Sequence, residues 1–98
     1  MEVVKYPYVI VRTCSAGVFA GHLKSRKGKE CVLQNARRIW FWSGAASLSE
    51  LAQRGTSQPN KCKFPCEVDE IILTEAIEIL SVSNSAKLSI AEVPVWSQ

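Results

Sequence analysis

The sequence predicts an α+β domain of about five antiparallel strands, forming a bent sheet or partial barrel, with two short helices. Residues 6–42 alternate apolar and polar side chains and are rich in β-branched and aromatic types, which favours strands. Residues 45–52 change to the three- and four-residue spacing of a helix. A chain of 98 residues has the length of one small domain, so we expect residues 1–98 to share a single core.

The first half of the chain predicts a three-stranded antiparallel meander. Strands are predicted at residues 6–13, 18–25 and 30–42, and the third is the longest. Turns at residues 13–17 and 26–29 join them. Gly17 supplies the positive backbone angle that the first turn requires. Gly21, inside the second strand, marks a bulge or a close approach of another backbone.

The second half of the chain predicts two short helices and two more strands. Ser43 or Ser47 is expected to cap the start of the first helix, and Gly55 its end. A polar loop follows at residues 56–65. Two strands are predicted at residues 66–73 and 76–82, and the second helix at residues 83–93. We expect residues 95–96 to fold back on the domain as an apolar latch, because Pro94 stops the helix.

Charge is divided unevenly along the chain. Residues 1–42 carry eight basic and two acidic side chains, whereas residues 43–98 carry four basic and seven acidic ones. This asymmetry favours an anionic partner at one end, or a second copy that docks head to tail. An ordinary solvated surface is the alternative. The composition, with 47% hydrophobic and 21% charged residues, excludes a disordered tail, a collagen-like chain and a coiled coil.

The start of the chain and its apolar runs predict a cellular location. Residues 1–5 lack the basic-then-apolar layout of a secretion signal. The longest apolar runs contain four residues, far below the roughly 18 that a membrane span requires. We therefore expect a cytoplasmic protein with no membrane partner.

The four cysteines favour reduced, partly buried thiols. Cys62 and Cys66 have the spacing of half a zinc site, but no second close pair of ligands accompanies them. Disulfide bonds between Cys14, Cys31 and these two would suit a secreted domain, which the start of the chain does not indicate. We expect neither a metal nor a cofactor.

The sequence contains no familiar catalytic pattern. Its one histidine, His22, could form a nucleophile–base pair only with Ser15 or Cys14, inside or beside one hairpin. A half-buried strand position is the alternative for this histidine. Glycine-rich phosphate loops and a nucleophile elbow are missing, and the acids between residues 67 and 78 are expected to alternate toward solvent. We therefore expect a protein that is not an enzyme.

Residues 35–44 form the most distinctive stretch. On a strand, Arg38, Trp40 and Trp42 share one face and Arg37 lies on the other. An indole can stack on a nucleotide base while a neighbouring arginine pairs with phosphate. The residues expected to bind a ligand are Arg12, Ser15, Gly17, His22, Arg37, Arg38, Trp40 and Trp42, with the turn at Ser15–Gly17 contributing backbone N–H groups. The alternative is that the two tryptophans fill the core and that Arg38 lies across an indole at the surface.

Seven segments also carry a family resemblance. They are YVIVRT (8–13), SAGV (15–18), ARRIWFW (36–42), GAASL (44–48), CKF (62–64), ILT (72–74) and IEIL (77–80). Together they resemble a family of small phage and prophage proteins that carry a domain of unknown function, over almost the whole chain. The resemblance implies a phage-encoded accessory protein of the host cytoplasm, and it implies no catalytic residues.

Two functions follow as expectations. In the first, a homo-oligomer sequesters an anionic, nucleotide-type signal of host defence in a basic and aromatic pocket, since one small chain cannot enclose such a ligand. In the second, the protein docks on a host defence or metabolic protein and blocks it, with exposed tryptophan and arginine as anchors. DNA or RNA is the least expected ligand, because the formal net charge is only +3.

Overall fold

The fold confirms the predicted α+β class. The computed structural model of the protein describes residues 6–97, so the segment 1–5, on which the location was argued, lies outside the described residues. The strands are β1 (Tyr8–Thr13), β2 (Val18–Lys27), β3 (Glu30–Arg38), β4 (Val68–Leu73) and β5 (Ala76–Ser81). The helices are α1 (Leu48–Arg54) and α2 (Asn84–Ala91), and a short 3-10 turn covers Pro59–Lys61.

The five strands form one open, strongly bent sheet in the order β4-β3-β2-β1-β5, and every neighbouring pair is antiparallel. Strands β4 and β5 are consecutive in the chain, yet they lie at opposite edges. The sheet must therefore curl until its two edges approach each other at the short β4–β5 turn. The β2–β3 turn lies beside this point, since the Ala76 N–H at the start of β5 donates to the Lys29 carbonyl at 2.9 Å.

The third strand is shorter than the sequence predicts. Its ladder with β2 ends at Arg38, because β2 begins at Val18 and offers no further backbone. Residues 39–42 then leave the sheet, and two of their N–H groups donate to the Lys63 carbonyl at 3.0 and 3.2 Å. The sequence predicted that Trp40 and Trp42 lie on β3. This prediction is wrong, because both residues follow the end of the strand.

The ends of α1 follow the predicted caps, and a serine that was not predicted as a cap begins α2. Helix α1 begins after Ser47, whose hydroxyl accepts a hydrogen bond from the Glu50 N–H at 3.2 Å, and it ends at Gly55. The hydroxyl of Ser83 accepts from the Ala86 N–H at 3.1 Å at the start of α2. Strands β1 and β4 begin two residues later than predicted, and β2 runs two residues longer. Within residues 6–97, no helix has the length and apolar character needed to cross a membrane.

Both faces of the sheet bury apolar side chains. The helix-side cluster lies between the sheet and the helices, and its largest members include Ile10, Leu51, Phe64 and Ile90. The concave cluster contains strand residues alone, among them Val11, Phe19, Leu33 and Leu73. Since no helix among residues 6–97 covers the concave cluster, the bent sheet itself must shield it from water. The bend is thus what allows this small domain to bury apolar residues on two sides.

The C-terminal segment folds back as predicted. Val95 forms a bridge with Phe64, and the Trp96 N–H donates to the Phe64 carbonyl at 3.0 Å. This places the segment after α2 beside the loop that precedes β4. The two segments together border the groove described below.

Candidate functional site

The structure distributes the predicted ligand-binding side chains over several places. Arg37 and His22 line one groove, on the side of the sheet that carries α2. The others lie near the β1–β2 turn or in the segment that follows β3. The predicted meeting of arginine and indole groups in a single recess is therefore not what the geometry shows.

Acidic side chains of the β4–β5 turn and of β5 lie against the β1–β2 turn and the end of β1. Arg12 forms an ion pair with Glu78 at 3.0 Å, and the hydroxyl of Ser15 donates to the Glu75 carboxylate at 3.0 Å. Gly17 has a φ of 101° and shapes the turn. Because two carboxylates already occupy the polar groups of this turn, it is a poor place for an anion.

Arg38 lies on the opposite side of β3 from Arg37. Its guanidinium carbon is 4.7 Å from the centroid of the Phe19 ring, and one of its N–H groups donates to the Ala16 carbonyl at 3.5 Å. The surface cation–π contact expected for this arginine is present, but its partner is a phenyl ring and not an indole. Arg38 therefore closes one end of the concave cluster.

Arg37 is a buried connector between three parts of the chain. Its side chain donates four hydrogen bonds to main-chain carbonyls: Nε to Pro65 at 3.2 Å, Nη1 to Ile90 at 3.0 Å, and Nη2 to Phe64 at 3.2 Å and to Val93 at 2.7 Å. Only 7% of the residue is exposed. These bonds join β3 to the loop before β4 and to the C-terminal end of α2.

Arg37 forms no ion pair among residues 6–97, and its hydrogen-bond acceptors are neutral carbonyl groups. The carboxylate of Glu67 acts on it only from beyond salt-bridge distance and offsets its charge in part. Burial lowers the pKa of Arg37, while the Coulombic effects of Tyr8 and Glu67 raise it. A guanidinium nevertheless stays protonated in proteins. The buried side chain is therefore a fixed positive charge in a region where water screens it weakly.

A groove of about 340 Å³ opens beside Arg37. Its polar lining consists of Tyr8, His22, Arg37, Glu67 and Lys87. Its apolar wall is formed by the end of α2 and the residues after it, as far as Val95. The groove therefore combines two fixed positive charges, one carboxylate and an apolar wall.

Aromatic rings and cations are in contact inside this groove. The ammonium of Lys87 is 5.5 Å from the centroid of the Tyr8 ring, and the His22 ring lies edge-on to the same tyrosine at 5.0 Å. Burial raises the pKa of Tyr8 to about 12, with Arg37 lowering it and Glu67 raising it further. The phenol is thus neutral at physiological pH and can donate a hydrogen bond.

His22 borders the groove from β2. It is half-buried, as the sequence suggested, and its Nδ1 is fully buried. Within the described part of the chain this nitrogen has no hydrogen-bond partner, although buried polar atoms are nearly always paired. His22 therefore contributes the edge of its ring to the groove, and its Nδ1 faces the protein interior.

The two indoles near β3 lie in different environments, and neither lines the groove. Trp42 is half-buried and packs against the helix-side cluster, which agrees with the core-filling alternative. Trp40 is 62% exposed and Phe41 is 49% exposed. Trp40 is therefore a surface residue, whereas Trp42 belongs to the border of the core.

Sequence reasoning predicted two of the five polar groove residues and missed the other three: Tyr8, Glu67 and Lys87. They come from β1, the loop before β4, and α2, so no local spacing connects them. Only the position of Lys87 on a helix that must pack against the sheet hinted at its place. The groove is thus a product of the tertiary arrangement.

The cysteines do not form a cluster. All four are free thiols, with Cys31 and Cys62 buried and Cys14 and Cys66 exposed. The region that the structure describes holds no group of three or more side chains suited to a metal ion. The Cys62 sulfur accepts a hydrogen bond from the Ser43 N–H at 3.4 Å, which gives this thiol a place in the loop structure.

Comparisons with known proteins identify the domain. A family model described as a domain of unknown function (DUF6948) matches residues 6–90. The match spans all five strands, α1, and α2 except for its last residue. No curated protein and no solved structure matches the chain. Because the family model covers most of the sequence, the chain belongs to the DUF6948 domain family.

Proposed function

We propose that this protein is a non-enzymatic binding protein that holds and sequesters a small anionic ligand of nucleotide type in the groove beside Arg37. One observation supports this above the others. Two cations of the groove, Arg37 and Lys87, form no ion pair within residues 6–97. A ligand that carries negative charge would balance both.

The two cations have different tasks in this proposal. Arg37 uses four of its five N–H groups on main-chain carbonyls, so it acts on the ligand chiefly through its charge. The exposed Lys87 keeps its donors free, apart from its contact with the Tyr8 ring. A charge-assisted hydrogen bond from this ammonium to a phosphate oxygen is the main direct contact that we propose.

The remaining lining favours a nucleotide over a simple phosphate. The carboxylate of Glu67 can accept hydrogen bonds from the N–H groups of a base, and Val95 offers an apolar surface for its ring. A ligand with a negatively charged end and a flat, polar ring satisfies these groups together.

The small size of the groove favours a homo-oligomer in which a second copy of the chain completes the binding site. Its volume of about 340 Å³ lies at the lower end of the roughly 300–1,000 Å³ that ligand pockets usually have. We propose that a second copy closes the open side in a homo-oligomer. The resemblance of seven segments to phage proteins supports a role in which the phage-encoded chain removes a nucleotide signal of host defence.

Calorimetry and thermal unfolding test the proposal directly. The purified protein is titrated with linear and cyclic nucleotides and with inorganic phosphate, and binding to the folded state should raise Tm. Lys87→Ala should weaken nucleotide binding about 10-fold or more, the loss expected for one charge-assisted hydrogen bond. Val95→Trp, which fills the groove without touching the Arg37 bonds, should weaken it similarly.

Lys27→Ala is the matched control, since this exposed lysine lies at the end of β2 and does not line the groove. Its affinity should equal that of the wild type. If no nucleotide raises Tm, or if Lys87→Ala binds as well as the control, the groove is not the ligand site.

A further inference from the structure

A cation lies between two aromatic residues on three neighbouring chain segments. Phe41 and Lys63 form an antiparallel bridge in which the Lys63 N–H donates to the Phe41 carbonyl at 2.7 Å. The ammonium of Lys63 is 5.6 Å from the centroid of the Trp96 ring. Phe41 and Lys63 are a cross-strand pair, and such pairs present their side chains on one face. Because the Lys63 ammonium also contacts the Trp96 ring, the three residues form a continuous row. We call this row the aromatic ladder.

Phe41 and Lys63 of the aromatic ladder are exposed and Trp96 is half-buried, although the backbone of all three is held by hydrogen bonds. Phe41 is 49% exposed, and its neighbour Trp40 is 62% exposed. The N–H groups of both residues donate to the Lys63 carbonyl, and the Trp96 N–H donates to the Phe64 carbonyl. These rings therefore do not belong to a loose loop. Large rings on an ordered backbone can bind a partner without first paying much ordering entropy.

The charge around the aromatic ladder indicates what covers it. Lys61 and Lys63 are exposed, and neither forms an ion pair within the described residues. A second copy related by a two-fold axis through the ladder would bring Lys63 against its own counterpart, which is unfavourable. A partner with carboxylates would instead place opposite charge beside both lysines.

We propose that the aromatic ladder, together with Trp40, is a docking surface for an acidic protein segment that carries one large apolar anchor residue. The anchor contacts the exposed rings, and carboxylates beside it pair with Lys61 and Lys63. Exposed tryptophan is among the residue types that most often dominate binding energy at protein interfaces. This surface is separate from the groove beside Arg37, so it adds a second binding activity to the proposed function.

A polyanionic nucleic acid fits the same surface less well. It would stack on the rings, but it also needs a row of cations along its backbone. The chain has a formal net charge of only +3, and residues 43–98, which supply Lys63 and Trp96, contain seven acidic side chains. A protein segment needs only a few carboxylates, so the observed charge suits it better.

Peptide selection tests this proposal with the whole chain. Short randomised peptides are displayed and selected against the immobilised protein, and the most enriched peptide is synthesised and titrated while tryptophan fluorescence is followed. The enriched peptides should share acidic residues beside one aromatic or aliphatic residue. Lys63→Glu and Trp40→Ala should each weaken binding at least about 10-fold.

Two variants serve as controls. Lys27→Glu makes the same charge change at an exposed site at the end of β2, and Lys87→Ala alters the groove alone. Both should bind the selected peptide as the wild type does, so a failure of the groove proposal leaves this one intact. All variants are first compared by Tm, and Lys63 is exposed, so its replacement should not disturb folding.

Three outcomes would overturn the inference. The first is selection without an acidic consensus, or a selected peptide that binds Lys63→Glu with unchanged affinity. The second is binding of oligodeoxythymidine that Lys63→Glu abolishes, which would make the ladder a stacking surface for nucleic acid. The third is self-association in sedimentation experiments that the same variant abolishes, which would make the occupant a second copy.

Discussion

Replacing Arg37 with alanine should destabilise the domain more than any other single arginine substitution. The side chain donates hydrogen bonds to the carbonyls of Phe64, Pro65, Ile90 and Val93, and only 7% of the residue is exposed. Its removal breaks the connection between β3, the loop before β4 and the end of α2. It also leaves carbonyl groups without partners in a region that water reaches only from the groove.

The expected loss of unfolding free energy in Arg37→Ala follows from two opposing contributions. A hydrogen bond from a charged donor contributes about 1.5–3 kcal/mol, so four such bonds together would stabilise the fold by roughly 6–12 kcal/mol. Keeping an unbalanced guanidinium out of water costs several kcal/mol, which offsets part of this. We therefore expect Arg37→Ala to lower the unfolding free energy by about 3–5 kcal/mol. Domains of this size have about 5–15 kcal/mol in total.

Urea unfolding followed by tryptophan fluorescence measures this loss. With a urea dependence of about 1–3 kcal/mol per molar, the midpoint should fall by at least about 1 M. Arg37→Lys keeps the charge, but its three donors cannot serve four carbonyls, so we expect an intermediate loss of about 2 kcal/mol. This variant separates the contribution of charge from that of hydrogen-bond geometry.

Arg38→Ala is the matched control, because the neighbouring arginine is exposed and makes one cation–π contact with Phe19. It should lose no more than about 1 kcal/mol. If Arg37→Ala loses as little as Arg38→Ala, the four carbonyl bonds do not stabilise the fold and the connector role of Arg37 is wrong.

The remaining predictions concern a tyrosine, two glycines and a helix cap. Because the pKa of Tyr8 is raised from 10.0 to about 12, the unfolded chain loses this proton first as pH rises. Stability should therefore fall between pH 10 and 12 by up to about 3 kcal/mol, and Tyr8→Phe should lack this component in urea titrations across that range. Parallel curves for the two proteins would contradict it. Gly55→Ala should lower the unfolding free energy by more than about 2 kcal/mol in urea, because φ is 75° and an added Cβ would clash with the Ser89 side chain. Gly17 has a φ of 101°, but an added Cβ there would meet no described atom within 4 Å. Gly17→Ala should therefore lower the unfolding free energy by only about 1 kcal/mol, and equal losses at the two glycines would exclude the steric explanation for Gly55. Ser83→Ala should cost about 1 kcal/mol in the same assay through loss of the N-cap of α2, and an unchanged midpoint would show that the cap does not contribute.

Local features of the sequence were sufficient where the physical cause is local. Ser47 and Gly55 bound α1 as their capping chemistry indicates. Gly21 was predicted to mark a bulge or a close approach, and it does both, since the β2–β3 register shifts there and an added Cβ would lie 3.1 Å from the Ala36 Cα. Such features depend on a few neighbouring residues and are readable from the chain.

The residue at which β3 ends could not be predicted from its neighbours in the sequence. Residues 30–42 have the composition of one long strand, but a strand continues only as far as a neighbour supplies hydrogen-bond partners. Strand β2 begins at Val18, so the ladder stops at Arg38. The segment beyond it then pairs with Lys63, which is far away in the sequence.

The sequence by itself determined the α+β class, the order of strands and helices, the caps, and the opposite faces of Arg37 and Arg38. Those properties arise from side-chain alternation and from short-range hydrogen bonds. Only the tertiary structure decided that Arg37 donates its hydrogen bonds to four main-chain carbonyls and that Tyr8 and Lys87 line the same groove. It also decided that the two indoles lie outside this groove. The reason is physical: burial and partner choice depend on which distant segments cover a side chain, and no local spacing encodes that.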